Sequence, residues 1–334
     1  MKSIYLVEKT RELDRVYTEE MRARLFAENG PVPTDIFCRA DVLSAPEKFR
    51  EVEHIFSTWS MPAFTEEEIA ACFPALKAVF YGAGTVQSFA RPFLARGISV
   101  FSAWAANAVP VAEYTVAQIV LACKGFFLTC RLTGKHRRDE AKALLKQYPG
   151  SFGCKIGIIG VGMIGSMVAE RLKNYQYEVL AFDPFCSEEK AARLGVKLCS
   201  LETLFSECQV ISNHLANNPQ TVGMLDGKLF SLMKETATFI NTGRGAQVVE
   251  PELAEALSKK PCVTAVLDVT YPEPIEEGNP LWDMENVFLT PHIAGSQGDE
   301  CHRMAEYILE EYRAFTSGGE TKYSVSEAML ATMA

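Results

Sequence analysis

Clustered metal ligands are missing from this sequence. Its ten cysteines are scattered, no two form a C-x-x-C pair, and the five histidines show no spacing that would complete a zinc site. Long apolar runs are also scarce. The longest stretch without charge or large polar side chains, Ile156 to Ala169, holds four glycines and falls short of the ~20 residues of a membrane span. The opening MKSIYLVEK returns to charge too soon for the apolar core of a secretory signal. A cytoplasmic protein with reduced cysteines and no membrane partner is therefore expected. Basic clusters are few. Lys135, His136, Arg137 and Arg138 form the compact one, and acids follow at once in Asp139 and Glu140. With a net charge of −9, the balance disfavours a nucleic-acid partner, whose phosphates need clustered Lys and Arg.

What is present is ordinary for a globular protein. Hydrophobic residues are 48% and charged residues 22%, which excludes disorder, collagen and coiled coil. The length of 334 residues suggests about two domains. Strand-like runs at Ser3–Val7, Asp35–Cys38, His54–Ser57, Leu76–Tyr81 and Ile98–Phe101 alternate with amphipathic stretches, clearest at Leu13–Glu28. A long apolar-rich helix is expected over Val109–Arg131, with Pro110 in its first turn and Glu113 at its positive end. The polar stretch Gly134 to Gly153 follows. A second series then sets strands at Lys155–Ile159, Glu178–Phe182, Val210–His214, Thr238–Asn241, Thr264–Asp268 and Val287–Thr290, with helices between most of them. Six strands with crossover helices match a doubly wound dinucleotide-binding sheet. The segment Asp299–Phe315 is helical by pattern.

The chemistry is concentrated in the second series. Gly160-Val161-Gly162-Met163-Ile164-Gly165 follows a strand and opens a helix. In that context the first glycine allows a tight turn, the second lets backbone approach a pyrophosphate, and the third lets helix and strand pack closely. Asp183, at the end of the next strand, suits the adenosine ribose hydroxyls and would repel a 2′-phosphate, so NAD is the expected cofactor. Three ionisable residues follow later strands: Arg244, Glu273 between two prolines, and His292. An arginine can fork two bonds onto a carboxylate, a histidine can protonate a developing alkoxide, and a glutamate on the other imidazole nitrogen fixes the tautomer. Together they suit reduction of a 2-oxo acid.

These motifs resemble the D-isomer-specific 2-hydroxyacid dehydrogenase family, of the phosphoglycerate dehydrogenase and glyoxylate or hydroxypyruvate reductase type. The carriers are Gly160–Gly165, Asn241–Gly245, Asp268 with Glu273-Pro274, and Thr290-Pro291-His292, with weaker matches at Gly82-Ala83-Gly84 and Asn107–Thr115. The resemblance implies an α/β architecture, with a Rossmann-type cofactor domain (109–298) inserted into a flavodoxin-like substrate domain (1–108 and 299–334). It implies that Arg244 binds the substrate carboxylate, that His292 is the acid–base paired with Glu273, and that the Gly82, Ala83 and Gly84 backbone helps to bind the carboxylate. It places Met163 and Ile164 N–H groups on the pyrophosphate, with Leu215, Thr242 and Asp268 also at the cofactor. It further implies a homodimer joined through the cofactor domain, with Val109 to Gly150 as the arm, and no added regulatory domain.

The chain departs from the family's pattern in two places. Ala216 stands where the family usually has proline after His214-Leu215, and Thr85-Val86-Gln87 lacks the usual aspartate. Substrate identity stays open, with Trp59, Met61, Tyr81, Trp104 and Trp282 as pocket candidates. Two alternatives also stay open: an NAD(H)-sensing, corepressor-like protein without turnover, and a phosphite-type oxyanion dehydrogenase.

Overall fold

The structure is a computed structural model that describes residues 2–29 and 35–330. Its strands, in chain order, are β1 (Ser3–Leu6), β2 (Ile36–Phe37), β3 (His54–Ser57), β4 (Ala78–Tyr81), β5 (Ser99–Ser102), β6 (Lys155–Ile159) and β7 (Glu178–Phe182). There follow β8 (Lys197–Leu198), β9 (Val210–Asn213), β10 (Thr238–Asn241), β11 (Thr264–Leu267), β12 (Val287–Leu289) and β13 (Ser324–Val325). The chain divides into two compact units, Met1–Ala108 with Ser296–Ala334, and Val109–Gly295.

In the first unit the sheet runs β13-β5-β4-β3-β1-β2. Its first five strands are parallel in the flavodoxin-like order 2-1-3-4-5. Strands such as β1 and β4 are buried on both faces, so they read as short continuous apolar runs. The tail closes this unit. Helix Glu300–Ser317 buries Met304, Ile308, Leu309 and Tyr312 against the sheet face of Phe56, Phe80 and Phe101, and β13 adds antiparallel to β5. The return to this unit comes at Ser296, three residues before the expected 299, because Ser296 N–H donates to Asn107 Oδ1 at 2.9 Å.

The expected helix Leu13–Glu28 is two helices, Thr10–Val16 and Glu19–Asn29. Tyr17 separates them. It is fully buried, and its hydroxyl donates to the Ser57 and Phe80 carbonyls at 3.3 and 3.4 Å. The side chains of Leu25 and Phe26 lie outside the described residues.

The second unit carries the sheet β12-β11-β10-β9-β6-β7-β8, all parallel, in the order of a doubly wound dinucleotide-binding sheet. The long helix runs Trp104–Cys123 rather than Val109–Arg131. Pro110 therefore lies inside it, not in its first turn, and Glu113 sits beyond the positive end and pairs with Arg171 at 3.6 Å. The helix stops at Gly125, whose positive φ and close approach to the Tyr148 ring leave no room for a side chain, and Phe126–Gly134 begins a new one. Among the described helices, Trp104–Cys123 is long and apolar enough to cross a membrane, but most of it is buried within the fold. The polar stretch after it contains the helix Arg138–Leu145. The basic cluster is largely neutralised there: Arg137 pairs with Glu140 and Glu285, and Lys135 with Glu285.

Candidate active site

The cradle after β6 has the shape its glycines require. Gly160 has φ +85°, and a Cβ there would lie 2.9 Å from the His214 carbonyl oxygen. A Cβ on Gly165 would lie 2.0 Å from the Gly160 carbonyl oxygen, so helix Met163–Leu172 can reach the strand only with glycine at that position. Around Gly162 there is open space within 4 Å, which is what a ligand approaching the backbone needs. Met163 and Ile164 are in the first turn, where N–H groups precede any intrahelical acceptor. Asp183 stands at the end of β7, half-buried, and accepts from Val161 N–H at 2.7 Å and Phe185 N–H at 2.8 Å. These bonds orient its carboxylate beside the glycine turn. Unpaired helix N–H groups, an open glycine and a fixed carboxylate fit a dinucleotide.

Arg244 follows β10. Burial pushes its pKa down, the Glu273 carboxylate opposes that, and it remains a cation. Its Nη1 donates to the Gly243 carbonyl at 2.8 Å. Among the described residues no carboxylate lies within ion-pairing distance of it. Arg244 is half-buried, and a guanidinium partly withdrawn from water without a carboxylate partner suits an anionic ligand.

His292 and Glu273 meet as the sequence requires. Nδ1 of His292 lies 2.6 Å from Glu273 Oε1, and both side chains are nearly half exposed. The backbone of His292 is left-handed, with φ +56°. It is held there because its N–H donates to the Asp268 and Thr290 carbonyls at 3.1 and 3.0 Å. The Asp268 carboxylate, itself buried, accepts from Thr290 Oγ1, Ile293 N–H and Ala294 N–H at 2.6, 2.8 and 2.9 Å. Asp268 is thus the anchor of the His292 segment, a role the motif alone did not reveal.

The remaining cofactor candidates are also engaged. Thr242 Oγ1 bonds Thr115 Oγ1 at 3.1 Å. Leu215 N–H donates to Asn213 Oδ1 at 3.2 Å, and its carbonyl accepts from Gln247 at 2.8 Å. A further group was not found by sequence reasoning. Glu250 is buried and accepts from Tyr271 N–H at 2.7 Å and Asn279 Nδ2 at 3.1 Å, which fixes the loop that carries Glu273. Burial pushes its pKa up.

In the first unit, the turn Gly82–Gly84 ends β4. A Cβ on Gly82 would lie 2.9 Å from both Val16 and the Tyr17 hydroxyl, so glycine is required there. Thr58 Oγ1 donates to the Gly82 carbonyl at 3.0 Å, and Ser102 Oγ to those of Ala83 and Gly84 at 2.9 and 2.6 Å. The Gly82 N–H is itself taken by the Ser57 carbonyl at 2.7 Å, and Ala83 is fully buried. Of the aromatic candidates, Tyr81 is core, like Met61. Trp59 lies under the Arg15 guanidinium, Trp104 packs edge-on against Tyr323, and Trp282 is 55% exposed.

Comparison with known proteins follows the same lines. The family model for the NAD-binding domain of D-isomer specific 2-hydroxyacid dehydrogenases matches residues 120–294, just over half of the chain. A D-3-phosphoglycerate dehydrogenase of Archaeoglobus fulgidus is 32% identical over 231 residues, which is 69% of this chain and 43% of that protein. A glyoxylate reductase of Korarchaeum cryptofilum is 36% identical over 167 residues, half of each chain. This chain therefore spans about half the length of the curated relatives it matches. Among solved structures, the D-mandelate dehydrogenase of Rhodotorula graminis superposes with a TM-score of 0.82 over 98% of both chains at 18% identity, which shows a shared fold. With the family model's match covering the whole cradle-to-histidine region described above, the chain belongs to the D-isomer specific 2-hydroxyacid dehydrogenase family.

Proposed function

We propose that this chain catalyses the NAD-dependent interconversion of a 2-oxo acid and a D-2-hydroxy acid. The observation that carries the reading is Arg244, a half-buried guanidinium with no carboxylate within ion-pairing distance among the described residues, in the same unit as the His292–Glu273 pair and the glycine cradle. Arg244 binds the substrate carboxylate and polarises the 2-oxo group. Because Glu273 holds Nδ1, the Nε2 of His292 is left to deliver the proton in reduction and to take it in oxidation. When bound, NADH supplies the hydride. The cradle Gly160–Gly165, with the Met163 and Ile164 N–H groups, takes the pyrophosphate, and Asp183 takes the ribose and repels a 2′-phosphate. Thr242, Leu215 and Asp268 border the cofactor. The backbone of Gly82–Gly84 helps to bind a carboxylate.

The protein acts in the cytoplasm on a small anion, as a homodimer joined through the unit Val109–Gly295 and without nucleic-acid or membrane partners. The exposed Leu121, Phe126 and Leu145 support the arm Val109 to Gly150, and the net charge of −9 disfavours nucleic acid.

The test is turnover of NADH and of NADPH with glyoxylate, hydroxypyruvate and bulkier apolar 2-oxo acids, with chiral analysis of the products other than achiral glycolate. Oxidation of NADH in preference to NADPH, with a D-configured product, is expected. Tight NADH binding with no turnover on any acid would replace this reading with that of a cofactor sensor.

A further inference from the structure

We propose that Gln247 is a positioning residue: its side-chain amide holds the backbone of Arg244 and the turn Leu215–Ala216 as one piece. The inference rests on the dehydrogenase reading above. Gln247 ends the short 3-10 turn Gly245–Gln247 and is fully buried. A primary amide has two donor hydrogens and an oxygen with two lone pairs, and here all four are used. Nε2 donates to the Leu215 and Ala216 carbonyls at 2.8 and 2.9 Å. Oε1 accepts from Asn213 Nδ2 at 2.6 Å and from Arg244 N–H at 3.3 Å.

The network extends one step further on each side. Asn213 Nδ2 also donates to Asn241 Oδ1 at 3.0 Å, and Asn241 Nδ2 donates to the Arg244 carbonyl at 3.1 Å. Arg244 is therefore held by both its N–H and its carbonyl. On the other side, the chain at His214–Leu215 forms a wall of the cradle, since a Cβ on Gly160 would lie 2.9 Å from His214 O and 3.0 Å from Leu215 N. The turn His214-Leu215-Ala216 contains no proline to stiffen it. Gln247 bonds the Leu215 and Ala216 carbonyls, the latter shared with Thr221 Oγ1 at 2.6 Å. One side chain thus ties the residue that takes the substrate carboxylate to the wall of the cofactor cradle, and removing it takes away the bonds made to the Leu215 carbonyl and the Arg244 N–H.

The experiment compares wild type, Gln247→Met and Gln247→Glu for NADH Kd, for kcat and KM with the best 2-oxo acid, and for Tm. Methionine keeps the volume and loses all four bonds. It should raise both the NADH Kd and the oxo-acid KM, the latter by about tenfold or more. Glutamate keeps an acceptor and can donate only when protonated. Its pKa there is raised by burial and by the two facing carbonyls. The kcat/KM of Gln247→Glu relative to wild type should therefore rise as pH falls, a profile that a purely structural role does not produce. A Met variant with Kd and KM within about twofold of wild type, whatever its Tm, would overturn the proposal, as would a Glu variant that follows the wild-type pH profile. If wild type turns over no 2-oxo acid, the dehydrogenase reading itself falls, and this proposal with it.

Discussion

At the scale of the residue, two histidines that follow strands of one sheet, β9 and β12, have opposite fates. His292 is half exposed, bonded to Glu273, and held in a left-handed backbone conformation that non-glycine residues seldom adopt. Such conformations persist where the surroundings over-determine them, here through Asp268. His292→Ala should cut turnover by ~10²–10⁴-fold, the usual contribution of a general acid, while NADH Kd is unchanged. Equal loss of cofactor binding would instead point to collapse of the loop. His214 is buried, takes a bond between Nε2 and Ser212 Oγ at 2.9 Å, and has its pKa pushed down by burial from 6.5 to about 3. The unfolded chain binds this proton more tightly than the folded one. Stability present above pH 6.5 is therefore lost as pH falls toward 3. Thermal melts of wild type and His214→Gln from about pH 7 to about pH 4 should show a shallower decline in the variant. Parallel curves would contradict the burial.

At the scale of the element, strands and their order were largely legible, because parallel strands buried on both faces leave short apolar runs between turn residues. The cradle was legible because glycine at 160 and 165 is demanded by backbone contacts that no other residue survives. Arg244, Glu273 and His292 were legible as residue types at strand ends, and the structure brings Glu273 and His292 into contact. What escaped depends on partners distant in sequence. The amides of Asn213, Asn241 and Gln247 look like loop polarity until their bonds are seen. The helix break at Tyr17 depends on carbonyls at Ser57 and Phe80. The two-residue strands β8 and β13 carry too little pattern to detect. Asp268 shows the same dependence between elements. Placed just after β11, it receives three donors from the segment after β12. Asp268→Asn presents an NH2 group where one donor now points. It should cost about 2 kcal/mol of stability in urea melts and lower kcat with it. Unchanged kcat would separate the anchor from the acid–base pair.

At the scale of the whole molecule, the two units differ in continuity. Val109–Gly295 is one uninterrupted stretch, whereas the other unit needs both ends of the chain. A fragment of Val109–Gly295 should fold and bind NADH by itself. Removing everything from Ser296 onward should instead expose the face of Phe56, Phe80 and Phe101 that the helix Glu300–Ser317 covers. Limited proteolysis of the truncated chain should then cut first within residues 1–108, and resistance there would show that the tail is dispensable. Charge acts at this scale too. A net charge of −9 gives a small anion no long-range attraction, so in the function proposed above its capture rests on local donors such as Arg244.

The tail that seals the first unit also sets a timetable for synthesis. Strands β1 to β5 leave the ribosome early, yet the helix that buries their aromatic face is encoded after the whole second unit. At ~5–20 residues per second, that face waits on the order of ten to forty seconds for its cover. During this interval Phe80 and Phe101 are open to chaperones and to other nascent chains, while the second unit can already close on itself. The order of maturation is then the reverse of the order of translation.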